Sequence, residues 1–144
     1  MDTAMEWVKG TLEVKTHGKG MLKINAQLSS LIDELNIREG MCYLFLPHVS
    51  ASLVISEGFD PSARRDVEDF YERLVPEEKL GYKHTLEGTD DSPAHIKATL
   101  TQPALTIPID NGQLNLGIWQ GVYLFEHRSH PQNRTIIVRC LKVN

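Results

Sequence analysis

Cysteine is scarce, with only Cys42 and Cys140 in 144 residues. They stand far apart on apolar, strand-like stretches with no paired spacing, which excludes a disulfide framework and a cysteine-type zinc site and predicts two buried free thiols. Long apolar runs are missing too: none approaches the roughly 18–20 residues that span a bilayer. Met1 to Glu6 lacks the basic start and apolar stretch of a secretory signal, so the expected location is cytoplasmic, without a membrane partner. No Pro/Gly/Ser-rich linker, charge block or internal repeat divides the chain, and one domain over residues 1–144 is expected. Basic excess is absent as well. A net charge of −4 and a pI near 5.8 argue against a large face for nucleic acid, while leaving room for a local cluster that holds a small anion.

What is present is the composition of a soluble globular domain, 41% hydrophobic and 24% charged. Leu12 and Val14 alternate with charged residues, predicting a first strand over 11–16 with one wet face. Leu28, Leu31, Ile32 and Leu35 recur at helical spacing after Asn25, which is expected to cap that helix, and Gly40 ends the unit. The continuous apolar stretches 41–46 and 51–55 predict central strands covered on both sides. Asp60-Pro61 signals a second helix with a buried stripe of Val67, Phe70, Tyr71 and Leu74, stopped by Pro76. Ser92-Pro93 signals a short third one carrying His95. Strands follow at 105–109, 122–125 and 136–143, the first leading into Asn111-Gly112, whose residues suit the positive φ angles of a tight hairpin turn. Pro108 places its strand at an edge or a bulge. The total, about six or seven strands in a mainly antiparallel sheet with about three helices, is an α+β pattern.

Histidine carries the functional signal. His48 ends one apolar strand, His127 ends another, and His95 lies in the first turn of the third helix. Strand ends and helix starts are where groups converge, and three neutral imidazoles suffice for one divalent metal (zinc, manganese or magnesium) with a position left for water or substrate. No HxH or HExxH pattern is present, so spacing alone does not establish the set. Asp90, Asp91 and Glu126 can orient the imidazoles from behind or serve as caps and surface charge. His84, in a polar loop, is a candidate fourth ligand or general acid/base. Lys97, Arg128 and Arg134, with Arg64 and Arg65 behind them, are candidates to clamp a phosphate. His17 and His130 read as surface residues.

The segments His48-Val49-Ser50-Ala51-Ser52-Leu53, Asp60-Pro61 with Arg64, His84 with Glu87-Gly88 and Asp90-Asp91, Pro93-Ala94-His95-Ile96-Lys97, and Trp119-Gln120-Gly121 followed by Glu126-His127-Arg128 resemble the YjbQ-like, or secondary thiamine-phosphate synthase, family. The resemblance runs nearly end to end. It implies an α+β fold, a homotrimer, a metal-suited histidine cluster and a weak thiamine-phosphate synthase activity. That transferase would join an aminopyrimidine diphosphate to a thiazole phosphate, with the ion on the leaving pyrophosphate, Arg128 and Lys97 on phosphate oxygens, and Glu57 or Glu126 orienting the nucleophile. The alternatives are a metal-dependent hydrolase of an anionic small molecule and a non-catalytic trimeric binding protein. Two departures bear on substrate: Val49 stands where the family usually has Thr, and Ser56-Glu57-Gly58 replaces its usual Asn-Glu-Asn run.

Overall fold

The computed structural model describes residues 4–78 and 80–144. In chain order the elements are β1 (Glu6–Lys15), β2 (Gly20–Lys23), α1 (Asn25–Glu34), β3 (Gly40–Phe45), β4 (Ala51–Glu57), α2 (Pro61–Leu74), α3 (Asp91–Leu100), β5 (Ala104–Asp110), β6 (Gln113–Leu114), β7 (Gln120–Glu126) and β8 (Asn133–Lys142). The eight strands form two sheets, ordered β1-β8-β3-β5-β6 and β2-β7-β4. Every strand pairing is antiparallel, so the fold is α+β as expected.

The core lies where the inner faces of both sheets meet α1. Leu28, Leu31 and Ile32 of α1, Cys42 and Leu44 of β3, Leu53 of β4, Ile107 and Ile109 of β5, Leu124 of β7 and Val138 of β8 all belong to one buried cluster. Each such side chain contributes roughly 1.5–3 kcal/mol through removal of apolar surface from water. Cys42 and Cys140 stand directly opposite each other across β3 and β8 as buried free thiols. The neighbouring thiol and burial together push Cys42 above its ordinary value.

Several local expectations are corrected. The first strand begins at Glu6, and the four-residue β2 was not foreseen because it is too short to show a period. Asn25 does not cap α1; its Oδ1 accepts the Val122 N–H at 2.8 Å and ties the helix to β7 instead. β3 is not covered on both sides, since Tyr43 and Phe45 are exposed on the outer face of the five-stranded sheet beside Trp7. The stripe of α2 is shallow: Val67 and Tyr71 are half-buried, while Phe70 and Leu74 remain exposed. Its start is as read, with Asp60 Oδ1 accepting the Ser62 N–H at 2.9 Å and Pro61 in the first turn. Asn111 and Gly112 have φ of 52° and 77°, the left-handed pair that the turn after β5 demands. Ile109 and Asp110 of β5 pair with β6, and the Pro108 carbonyl accepts the Asn115 N–H at 2.8 Å, so the edge at Pro108 is partly covered. No helix among the described residues is long and apolar enough to cross a membrane.

Candidate functional site

Helix α3 starts at Asp91, and the four-residue step from Asp91 to His95 puts both side chains on one face of its first turns. Asp91 Oδ2 lies 3.0 Å from His95 Nε2 and 2.8 Å from Nε2 of His84, which reaches in from the loop before α3. The imidazole centroids are 5.2 Å apart. Among the described residues, this is the one group of three or more His, Cys, Asp and Glu ligand atoms within 4.8 Å of one another. Atoms bound to one ion at about 2.0–2.1 Å stand roughly 3 Å from each other, which matches both separations.

The support around Asp91 is dense. Arg128 directs Nη1 to Asp91 Oδ1 at 2.9 Å, Nε to Asp90 Oδ2 at 2.9 Å and Nη2 to the Glu87 carbonyl at 2.9 Å. Asp90 therefore holds Arg128 instead of capping α3, and it accepts the Ser129 N–H at 2.9 Å as well. Burial opposes its ionisation, but the Arg128 and Ser129 hydrogen bonds outweigh that cost and hold its carboxyl well below the usual range. Gly88, at φ +107°, lets the loop turn here; a Cβ would stand 3.1 Å from Asp90 Oδ1.

Of the other expected site residues, Arg128 supports the cluster and His48 lines a recess beside His95, while the rest lie elsewhere. His48, His95 and His127 are not brought together as one ligand set. His48 follows β3 and accepts the Thr135 N–H on Nε2 at 3.0 Å, and His127 follows β7 in the other sheet, with Nε2 2.9 Å from Ser52 Oγ. Both Ser52 and His127 are only 1% exposed, which closes that pair to any substrate. Glu126, 0% exposed, accepts from Thr16 Oγ1 at 2.7 Å and Arg134 Nε at 2.9 Å, while Arg134 Nη2 also donates to Ser50 Oγ at 2.9 Å. Glu126 and Arg134 thus form an interior ion pair. Lys97 is buried against Glu72 of α2, and Glu57 accepts the Asp60 N–H at 2.8 Å in the turn before α2. Arg128 is spent on Asp90, Asp91 and Glu87, so it positions the cluster. Arg64 and Arg65 stand on α2, with Arg64 lining a separate recess beside His17 and Glu68, and His17 and His130 are exposed. Asp91 belongs to the ligand cluster itself, and its four-residue spacing from His95 on a helix is the sequence signal for that.

His127 has a consequence for stability. Burial, then Lys97, Arg134 and Lys19, lower it from 6.5 to about 3, and its Nδ1 has no partner among the described residues. Between those values the unfolded chain binds a proton that the folded chain refuses, so stability falls as pH drops through the window. Urea midpoints at pH 7 and 4.5 should record a loss on the order of 2 kcal/mol, and His127→Gln should remove most of it. An equal loss in that variant would discard His127 as the cause.

The UPF0047 protein YjbQ-like family matches residues 10–143. A UPF0047 protein of Synechocystis is 43% identical over 127 residues, covering 88% of this chain and 86% of its own. UPF0047 protein YjbQ of Escherichia coli O157:H7 is 38% identical over 132 residues, 91% and 95% of the two chains. Among solved structures, a YjbQ/UPF0047 family protein of Clostridium acetobutylicum superposes with a TM-score of 0.81 at 34% identity, covering 90% of this chain and 98% of its own. A Sulfolobus solfataricus protein, described as of unknown function, shares the fold with a TM-score of 0.87 at 23% identity, covering 96% and 99%. These relatives carry the UPF0047 or YjbQ name without an activity. That corrects the thiamine-phosphate synthase and transferase assignment, which has no support in them; neither do the hydrolase and trimeric-binder alternatives, and metal binding is not among their names.

Proposed function

The chain belongs to the YjbQ-like UPF0047 family, and from the geometry of the α3 cluster we propose that it holds one divalent transition-metal ion on His84, Asp91 and His95, open to a small anionic ligand. One observation carries the reading. His95 Nδ1 stands 2.9 Å from the Val49 carbonyl, an acceptor only, so Nδ1 bears the proton. The lone pair of a neutral His95 then lies on Nε2, 3.0 Å from a carboxylate oxygen that also only accepts. Two acceptors facing each other repel. A cation between them removes that repulsion, either the second proton of an imidazolium or a metal ion coordinated by both, and the approach of His84 Nε2 to the same carboxylate oxygen at 2.8 Å provides the third ligand atom that a metal uses.

Two imidazoles and a carboxylate favour zinc or manganese over magnesium, which prefers an all-oxygen shell. The Val49 carbonyl fixes the His95 tautomer, and Arg128 on Asp91 Oδ1 aims the other oxygen at the imidazoles, the outer support that bound metals usually require. When bound, the ion supplies Lewis acidity at positions that three protein ligands leave open.

Titrating metal-stripped protein with zinc chloride in a calorimeter tests the reading: about one ion per chain is expected, and none in His84→Ala or His95→Ala. Equal uptake by wild type and both variants would overturn it. The homotrimer that the family resemblance implies is proposed separately, and an uncovered face supports association. Trp7, Tyr43 and Phe45 leave an apolar outer sheet face uncovered in a single chain. Sedimentation equilibrium should read about three protomer masses, and a monomer would reject it.

A further inference from the structure

An apolar recess of about 620 Å³ opens beside the cluster, and His95 belongs to both. Val49, Ala98 and Pro103 supply much of its carbon surface. Thr99 and Thr101 also line it, yet both turn their hydroxyls back on helix carbonyls, Thr99 to Ile96 at 2.6 Å and Thr101 to Lys97 at 2.9 Å. Their hydroxyl protons are thereby engaged within the chain and are not offered to a ligand. Val49 is 71% exposed, an apolar side chain held in solvent at the rim of a site with converging ligand atoms.

His48 forms another part of the wall. Its Nε2 accepts the Thr135 N–H, which leaves the proton of the neutral ring on Nδ1. Burial, then Arg134, lower His48 from its ordinary value and keep the ring neutral near pH 7. A recess of this size with carbon walls and few polar groups suits an apolar ligand body, and an ion at its edge suits an anionic head.

We propose that this recess receives the apolar body of a small organic anion whose charged end reaches the ion on His84, Asp91 and His95, making the substrate class acids with an aliphatic or aromatic tail. The proposal rests on the metal reading above. It excludes bare inorganic anions and strongly polar acids as the preferred ligands, because neither places carbon against Val49, Ala98 and Pro103.

Straight-chain carboxylates from acetate to octanoate, titrated into the zinc-loaded protein by calorimetry, provide the test. Affinity should rise about two- to fourfold per added methylene until the recess is filled. Val49→Thr, which exchanges a methyl group for a hydroxyl at constant shape, should reduce that gain, and Ala98→Gln should flatten it further. Zinc stoichiometry and thermal unfolding of both variants report whether the fold is kept. Equal affinity for acetate and octanoate overturns the proposal, and is the result expected if a second copy of the chain covers the recess instead. A chain-length gain of the same size in zinc-free protein also overturns it, since the anion is then not anchored by the ion. Failure of zinc uptake itself is read before any carboxylate is added, and it removes the metal reading separately.

Discussion

Replacing Glu126 by alanine is expected to cost about 3–5 kcal/mol of folding stability. The carboxylate has no exposure, and its partners come from three parts of the chain: Thr16 after β1, Arg134 in β8 and the Arg128 N–H beyond β7. Deleting it leaves the Arg134 guanidinium, 5% exposed, without its counter-charge. Uncompensated burial of a charge costs more than loss of the hydrogen bonds themselves, which are worth roughly 1.5–3 kcal/mol each when one partner is charged. The double variant Glu126→Ala, Arg134→Met should therefore be more stable than Glu126→Ala alone, because it removes the stranded charge. Urea unfolding of the wild type, both single variants and the double variant measures this. A loss under about 1 kcal/mol for Glu126→Ala would mean that water reaches the pair.

The second large effect falls on Asp91. Asp91→Asn preserves the shape of the side chain but exchanges an acceptor for an N–H donor, and that donor can satisfy the imidazole lone pair that the carboxylate faces at 3.0 Å. The folded state without metal should lose little stability, because Arg128 keeps its contacts to Asp90 and to the Glu87 carbonyl. Zinc affinity should nevertheless fall by about 100-fold or more, since loss of a direct ligand exceeds the 10–100-fold cost of losing an outer-shell partner. A large fall in metal affinity with nearly unchanged metal-free stability distinguishes an ion from a structural proton between Asp91 and His95. With only a proton there, Asp91→Asn would change zinc affinity no more than a surface substitution does.

Parts of this arrangement are legible in the sequence. The helical recurrence of Leu28, Leu31 and Ile32 marks α1 because those residues are truly buried. The same periodicity misleads in α2, where Phe70 and Leu74 stay in solvent; spacing reports which residues share a face and leaves open whether anything covers it. The apolar run of β3 is likewise compatible with one open face. For the site, strand ends were a poor guide. His48 follows a strand of the five-stranded sheet and His127 a strand of the three-stranded one, and only the pairing order, set by contacts between residues distant in sequence, reveals that. Asp91 and His95 were legible, because a four-residue step on a helix fixes their neighbourhood locally. His84 could be recognised as a candidate, but the turn at Gly88 that accompanies its approach to Asp91 depends on contacts from Arg128, forty residues on.

Anomalous X-ray diffraction at the zinc absorption edge, from crystals grown with stoichiometric zinc, locates the ion itself. The proposed metal site gives one strong peak per chain between His84 Nε2, His95 Nε2 and Asp91. A fully loaded protein with no peak there, or with its peak at His48 or His127, would contradict it.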